Sequence, residues 1–219
     1  MNGSQSDGQM CLYDADWAPS PRRVRFFLAE KGVQIPVRKV NLRGGEHGAP
    51  DFLAISPRGT LPALVLEDGT VLDDSNAICR YIEALYPEPP LFGSNPTEIG
   101  LIEAWLRRID AECYQAVVMR YRNGQPAFAA NPVTGIWPVR MPQLPELVAR
   151  GAMMWDVFMD FLESRMGTRE WIATDSFSYA DIYALCAIDF GVATKLDIGE
   201  RPAIRAWHAR MAERPGASA

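Results

Sequence analysis

The stretch that decides the fold is FSYADIYALCAIDF, residues 177–190. Ser178 is followed three residues later by Asp181, and this spacing predicts a capping box in which each side chain bonds the other residue's backbone amide. Phe177 before the cap and Ile182 after it predict a hydrophobic staple. Because the residues that follow are apolar on most sides, we expect a central, buried helix. This motif therefore predicts a folding device rather than a site.

The second half of the chain has helical periodicity. Apolar spacing predicts helices over residues 98–122, 147–166, 178–192 and 201–211. Asn123–Pro145 contains five prolines, and this segment predicts a loop long enough to act as a lid. The sequence thus predicts an all-helical domain over residues 98–219.

The first half alternates strand and helix signals. Strands are predicted at residues 10–13, 37–40, 63–66 and 71–72, the last two joined by an Asp68-Gly69 hairpin turn. Helices are predicted at residues 22–31 with Gly32 as C-cap, 50–55, and 75–85. The order βαβ-α-ββα predicts an α/β domain with a four-stranded mixed sheet. We therefore predict a flexible tail at residues 1–9, this domain at residues 10–87 and a Pro-rich linker at residues 88–97.

Composition argues against several function classes. The chain has 219 residues, with 22 Lys and Arg against 27 Asp and Glu, and this net charge of −5 provides no footprint for nucleic acid or an anionic membrane. No apolar run reaches the roughly 18–20 residues of a membrane span. The polar first residues predict no secretory signal. Four cysteines without a C-x-x-C pair, and only two histidines, predict neither a zinc site nor disulfides, so we expect a reducing cytoplasm.

Four motifs, taken in their order and at these distances, carry a resemblance to a known family. They are RVRFFLAEKG at residues 23–32, TLPAL at 60–64, DSNAI at 74–78 and FSYAD at 177–181. Together, over nearly the whole chain from about Met10, they resemble cytosolic glutathione transferases, nearest to bacterial nu-like and theta-like members. The resemblance implies a thioredoxin-like domain followed by a helical domain, and usually a homodimer. It implies glutathione as co-substrate, no metal, and a small hydrophobic electrophile or a small disulfide or peroxide as the second substrate.

The resemblance also implies glutathione-binding residues. Leu61 before a cis Pro62 would pair with the cysteinyl backbone, and the alternative is a plain trans-proline turn. Ser75 would hold the γ-glutamyl carboxylate and Asp74 the ammonium, although an ordinary Ser N-cap explains the same residues. His47 would contact the glycyl carboxylate, unless it is simply an exposed loop histidine. Weaker candidates for that carboxylate are Thr60 and Arg58.

The reactive position departs from the family pattern. Ala18 stands where relatives carry Ser, Thr or Cys before a proline, so the chain supplies no nucleophile there. Ser20 is the predicted catalytic hydroxyl that stabilises the thiolate, helped by a helix N-terminus and by the positive potential of Arg22 and Arg23. The alternative is that Ser20 is a turn residue between two prolines. Tyr13 is a second nearby hydroxyl, although a tyrosine on a strand more often packs on the sheet.

The electrophile is expected between the two halves. Candidate pocket residues are Trp17, Tyr114, Met119, Arg120 and Tyr121, and core packing is the alternative for each. His208 is interpreted as a surface or packing residue. Two functions remain open at this point: a glutathione transferase, and a non-catalytic binding or regulatory protein on the same fold, which Ala18 favours.

Overall fold

A four-stranded sheet organises the first half of the computed structural model, which describes residues 9–136 and 139–219. Its spatial order is β2-β1-β3-β4, with β2 parallel to β1 and the other pairs antiparallel. Leu12 pairs with Leu64 and both are fully buried, so one sheet face lies in the core. The mixed sheet is confirmed. The strands are β1 Cys11–Asp14, β2 Val37–Lys39, β3 Ala63–Val65 and β4 Val71–Leu72.

Helices make up most of the remaining structure. The predicted helices form, with ends displaced by a few residues, except that the helix predicted over residues 98–122 is divided in two. A π-helical segment, Ile109–Tyr114, joins α4 to α5. The helices are α1 Pro19–Lys31, α2 Pro50–Leu53, α3 Ser75–Leu85, α4 Pro96–Arg108, α5 Gln115–Gly124, α6 Pro145–Met166, α7 Tyr179–Ala193 and α8 Pro202–Ala212. Most of the predicted tail, residues 1–8, lies outside the described residues.

Helix α1 begins earlier than the sequence predicted. Its first residue is Pro19 rather than Arg22, because proline has the φ angle of a first helical turn and needs no N–H there. Ser20 is therefore the second residue of a helix, and its interpretation as an isolated turn residue is wrong. The other end agrees with the prediction, since Gly32 closes α1 at a φ of 64°.

Helix α7 is the centre of the molecule. Eleven of its 15 residues are buried, so it is surrounded on nearly all sides as its apolar sequence predicted. Helix α1 lies along it, with the Phe27 ring edge-on to Tyr179 at 5.6 Å between centroids. Arg22 forms an ion pair with Asp189 at 2.5 Å. The contact between these two helices joins the sheet half to the helical half.

The predicted capping box holds the start of α7. The Ser178 N–H and hydroxyl donate to Asp181 Oδ2 at 3.1 and 3.2 Å. Asp181 Oδ1 accepts from the Ile172 N–H and from Trp207 Nε1, both at 3.0 Å. Burial raises the pKa of Asp181 to about 6, while these donors act in the opposite direction. One buried carboxylate therefore joins α7, α8 and the segment before them.

The Pro-rich segment between the halves is packed rather than loose. Leu91 and Phe92 are buried within it. The ammonium group of Lys31 donates to the carbonyls of Tyr86 and Pro89 at 2.8 and 2.5 Å. The linker boundaries stay a prediction, but these contacts fix the path of the chain from α3 to α4. Among the described residues, no helix combines the length and the apolar character needed to cross a membrane.

Replacing Asp181 by asparagine should lower the free energy of unfolding by about 2–4 kcal/mol, because the amide loses one acceptor and presents donors to donors. Urea denaturation followed by circular dichroism measures this change. Asp175 provides the control: its side chain is fully exposed, so Asp175→Asn should change stability by less than about 0.5 kcal/mol. Equal losses in the two variants would contradict the role assigned to Asp181.

Candidate active site

Two adjoining cavities lie between the sheet half and helices α4 to α7. The first, here the aromatic cavity, has a volume of about 200 Å³, and the second, the mixed-charge cavity, has a volume of about 620 Å³. They form one cleft because they share part of their walls. The residues that line both are Ser20, Arg58, Thr60, Leu61, Tyr114, Val118, Val133 and Thr134.

The loop before β3 forms one wall of the cleft. The Leu61–Pro62 peptide bond is cis, so the alternative of a trans-proline turn is wrong. Ser56 Oγ accepts from the Thr60 N–H and donates to the Thr60 carbonyl, both at 3.2 Å. Gly59 has a φ of 61°, and a Cβ there would lie 3.0 Å from the His47 carbonyl oxygen. Within the described ranges, the N–H and carbonyl of Leu61 have no hydrogen-bond partner.

The start of α3 forms the opposite end of the mixed-charge cavity. Asp74 Oδ1 accepts from the Asn76 and Ala77 N–H groups at 2.8 and 3.0 Å. Asp74 is therefore the N-cap, and the interpretation of Ser75 as the cap is wrong. Ser75 is the first helical residue and is buried. Asp74, Ser75 and Asn76 all line this cavity.

Ser20 lies where the two cavities meet. Its Oγ is 3.2 Å from the Tyr114 hydroxyl oxygen and accepts from Arg23 Nη2 at 2.5 Å. The prolines on either side of Ser20 have no N–H, and the Arg22 N–H is bonded to the Ala18 carbonyl. Among the described residues, Ser20 thus has the only unbonded N–H in this turn of α1. The N-terminus of α1 therefore offers a ligand fewer free N–H groups than expected. Side chains must supply more of the hydrogen bonds there.

Arg23 is a site residue that the sequence argument treated only as general positive potential. Its side chain is buried, with 3% of the residue exposed. The guanidinium carbon lies 3.9 Å from the Tyr183 ring centroid and 4.8 Å from that of Tyr114. The available signal was its spacing: Arg23 precedes Phe27 by four residues and so lies on the apolar face of α1.

The mixed-charge cavity presents both signs of charge. Asp73 and Asp74 come from the start of α3, and Asp110 comes from the π-helical segment. The Tyr183 hydroxyl donates to Asp110 Oδ1 at 2.6 Å and fixes its orientation. Asp110 is not recognisable from the sequence alone, because its π-helical setting has no clear sequence signal. Basic residues in the same walls are Arg23, Arg58 and Arg107. This arrangement suits a zwitterionic ligand.

The aromatic cavity has a different composition. The predicted residues Trp17, Tyr114 and Tyr121 line it together with Phe128 and Phe190. The Tyr121 and Phe190 rings meet nearly at right angles, with centroids 5.5 Å apart. Phe128 belongs to the proline-rich loop after α5, so that predicted loop contributes to the cavity wall.

Three basic side chains line the aromatic cavity. Arg58, Arg122 and His47 line it, and no Asp or Glu does so among the described residues. Arg122 donates to the carbonyls of Asn131 and Pro132 at 2.6 and 3.1 Å. Burial, and then the nearby charge of Arg122, lower the pKa of His47, whose buried Nδ1 has no hydrogen-bond partner among the described residues. His47 is therefore a neutral cavity residue rather than an exposed loop histidine.

Some predicted residues lie elsewhere. Arg120 lines neither cavity, because its guanidinium donates to the Thr194 carbonyl at 2.8 Å, and this corrects its assignment to the pocket. The Tyr13 ring packs 5.9 Å from that of Phe52, away from the cleft. His208 contacts Asp189 at 2.6 Å between α8 and α7, as a packing residue would. Met119 lines the mixed-charge cavity.

Metal and thiol groups are not part of the cleft. Among residues 9–136 and 139–219, no cluster of three or more His, Cys, Asp or Glu side chains could hold a metal ion. Of the four cysteines, Cys11 is half-buried and the other three are buried. None of them lines either cavity in the described parts of the chain.

The chain is similar to one family over both of its halves. Residues 17–85 match the family model for the glutathione S-transferase N-terminal domain, and residues 155–215 match that for the C-terminal domain. Glutathione S-transferase 2 of Saccharomyces cerevisiae is 35% identical over 216 residues, which cover 97% of this chain and 90% of that protein.

Solved structures show the same fold. A glutathione S-transferase domain-containing protein of Marinobacter aquaeolei VT8 has a TM-score of 0.85 and 31% identity, covering 94% of this chain and 99% of that chain. Gtt2 from Saccharomyces cerevisiae has a TM-score of 0.81 and 36% identity, covering 94% and 98%. The similarity therefore extends over both halves and includes the cleft between them.

Proposed function

Since the chain belongs to the glutathione S-transferase family, we propose that it binds glutathione in the mixed-charge cavity and transfers it to an electrophile in the aromatic cavity. The observation that carries this proposal is the position of Ser20, which lines both cavities. A glutathione sulfur beside the Ser20 hydroxyl would have the rest of its tripeptide on one side and the second substrate on the other.

The walls suit each part of glutathione. Ser75, at the N-terminus of α3, fits the γ-glutamyl carboxylate, and Asp74 and Asp110 fit its ammonium group. The unpaired N–H and carbonyl of Leu61 suit the cysteinyl backbone, which would add to them like a strand. Arg58 and Thr60, which line both cavities, are candidates for the glycyl carboxylate, and His47, in the wall of the adjoining aromatic cavity, is a third.

Thiolate stabilisation requires only a modest free energy. A free thiol has a pKa near 8.5, and lowering it by about two units corresponds to roughly 2.7 kcal/mol. A hydroxyl hydrogen bond to a charged acceptor supplies about 1.5–3 kcal/mol. The end of α1 supplies about 0.3–1 kcal/mol. Ser20 therefore carries the larger part, and Ala18 is not needed.

The same thiolate can serve a second reaction. In reduction of a small disulfide, the glutathione thiolate attacks one sulfur, forms a mixed disulfide and releases the other half as a thiolate. A second glutathione thiolate then attacks the glutathione sulfur of the mixed disulfide, releases the remaining half of the substrate as a thiolate and leaves oxidised glutathione. Glutathione is the nucleophile in both modes, because neither cavity contains a cysteine in the described residues. A non-catalytic protein is less favoured, since Ser20 supplies the hydroxyl that Ala18 lacks.

The cysteines bear on where the protein works. Cys79, Cys113 and Cys186 are buried free thiols, and burial raises the pKa of each above its ordinary value. Free thiols of this kind persist in a reducing compartment. We propose that the cytoplasm is this compartment.

The walls of the aromatic cavity define a class of electrophile. Flat apolar molecules suit the ring faces of Trp17, Tyr121 and Phe190. Arg122 has no carboxylate partner among the described residues. A substrate with an anionic group would supply the missing counter-ion. We therefore propose an aromatic or otherwise apolar electrophile that carries a carboxylate or a similar anion.

The outer face of α6 supports a homodimer. Met153 and Val157 are each 70% exposed, and Phe161 continues the same stripe at the next i, i+4 position. Met153 and Val157 line an apolar groove of about 510 Å³, whose walls also include Glu112, Glu146 and Arg150. Because an apolar face of this kind is rarely left in water, we propose that a second copy of the chain covers it.

Isothermal titration calorimetry with glutathione tests the first binding step. The wild-type protein should bind, and Asp74→Asn and Ser75→Ala should each raise Kd by about tenfold or more, because each loses a charged hydrogen bond. Asparagine is used because Asp74→Ala would also remove the N-cap, at about 1 kcal/mol of stability. Asp175→Asn, an exposed change outside the cleft, should leave Kd unaltered. A flat wild-type titration would end the proposal.

Turnover tests the electrophile class. We expect kcat/KM for a chloronitrobenzoate to exceed that for the matching uncharged chloronitrobenzene by about tenfold, after division by each uncatalysed rate. Arg122→Met should remove this preference, and Arg122→Lys should keep part of it. An unchanged preference in Arg122→Met would refute the anionic class. Absence of turnover with these substrates, with hydroxyethyl disulfide and with peroxides would count against an enzyme.

Light scattering on a sizing column tests the dimer. The wild-type protein should have twice the mass of one chain, and Val157→Asp should shift it to a monomer by placing a charge in the apolar face. Val192→Asp is the matched control, since Val192 is exposed on α7 outside the stripe. A wild-type monomer, or a Val157→Asp dimer, would contradict this interface.

A further inference from the structure

A buried cation without a counter-ion borders the mixed-charge cavity. Arg23 is 97% removed from solvent, since its exposed fraction is 3%. Within the described residues, no carboxylate forms an ion pair with it, and its Nε has no hydrogen-bond partner. An unpaired buried charge is unfavourable, and guanidinium cannot escape by losing its proton. Its position in the cavity wall therefore indicates that an anion completes it when the ligand is bound.

Tyrosine rings fix this cation in place. The guanidinium carbon is 3.9 Å from the Tyr183 ring centroid and 4.8 Å from that of Tyr114, so the group lies against both aromatic faces. Its Nη2 donates to Ser20 Oγ at 2.5 Å. Because Ser20 and Arg23 are three residues apart on α1, one helical turn holds both partners.

The hydrogen bonds leave one proton unused. Arg23 occupies one lone pair of Ser20 Oγ, and Ser20 and Tyr114 share a further bond at 3.2 Å. If the Tyr114 hydroxyl donates to Ser20, the Ser20 proton is free, and if Ser20 donates, the Tyr114 proton is free. Either arrangement leaves a single O–H for a ligand at the junction of the two cavities.

We propose that Arg23 is a positioning residue: by donating to Ser20 Oγ it makes the Ser20–Tyr114 pair a donor towards the glutathione sulfur, and its charge strengthens that donor. The inference rests on the proposed function and adds to it the residue through which α1 supplies charge. A hydroxyl that already accepts from a cation is a stronger hydrogen-bond donor. The sulfur then supplies the negative charge that the guanidinium lacks, through the hydroxyl pair rather than by direct contact.

Several titratable and charged groups face this cluster from the elements packed around it. Burial raises the pKa of Tyr179, Tyr183 and Cys79 above their ordinary values and that of Cys186 to about 11. Burial and Arg122 lower the pKa of His47, across the cleft. The remaining charged or titratable groups are Arg22, paired with Asp189 between α1 and α7, Arg58 before β3, Asp73 and Asp74 at α3, Arg107 on α4, and Asp110 and Tyr114 on the π-helical segment.

The test measures the pKa of the glutathione thiol while it is bound. Thiolate absorbs in the ultraviolet where thiol does not, so a pH titration of the complex reports it directly. Arg23→Met removes the charge and keeps an unbranched side chain. At a fixed pH below the thiol pKa, we expect its thiolate-to-thiol ratio to fall by about tenfold, which is one pKa unit. Arg22→Met removes a charge one residue away, and its ratio should fall by less than half as much on the pKa scale.

A double-mutant cycle separates a positioning role from a direct one. Ser20→Ala should raise the thiol pKa, and adding Arg23→Met to it should cause less than half the further shift seen in the wild-type background. Full additivity would overturn the positioning role. If Arg23→Met does not fold, Arg23→Lys takes its place. Because it keeps the charge and loses the planar fork, its expected shift is smaller, and the same additivity criterion applies.

The outcomes separate the two proposals. Failure of the wild-type protein to bind glutathione refutes the proposed function. Binding with an unchanged thiol pKa in Arg23→Met refutes only the inference, and so does a loss of affinity that leaves the thiol pKa unaltered. A raised thiol pKa with a coupled cycle supports both proposals.

Discussion

The antiparallel contact between α1 and α7 is the constraint on which the structure depends. Three residues of α1 meet α7 along its length: Arg22 forms an ion pair with Asp189, Arg23 lies over Tyr183, and Phe27 packs edge-on to Tyr179. Along these contacts the residue numbers increase on α1 and decrease on α7, so the two helices run in opposite directions. A single relative position of the two helices therefore sets all three contacts. The same alignment joins the two halves and directs the first turn of α1 into the cleft.

Local rules were sufficient for much of the fold. The Ser178-to-Asp181 spacing, the Asp68-Gly69 turn and the terminal Gly32 each determine a short stretch of backbone by themselves, so these predictions agree with the structure. The start of α1 was misplaced, because the two prolines that flank Ser20 were interpreted as a turn although proline also suits a first helical turn. The same sequence permits both, and packing on α7 selects the helix.

The site residues divide in a similar way. Family resemblance named Ser20 and Tyr114, whose side chains meet in the cleft, but Arg120 faces away from it. Arg120 lies between Met119 and Tyr121 on α5, and both of these neighbours line the cleft. Consecutive residues of a helix point about 100° apart, so the three side chains do not all face the same way. Arg23 was recognised only as positive potential: its spacing from Phe27 indicated the apolar face of α1, but the Tyr114 and Tyr183 rings that hold it are distant in sequence.

Charge is distributed so that each end of the cleft has its own chemical character. Both signs occur where a zwitterion would lie, and only basic groups occur around the rings at the other end, within the described residues. Because prolines lie on both sides of Ser20, the backbone there offers a ligand almost no free N–H groups. The side-chain oxygen of Ser20 therefore determines which chemistry this fold can support. A natural exchange of Ser20 for cysteine would give the protein a nucleophile of its own. A glutathione-dependent transferase could then become a redox catalyst without a change of fold.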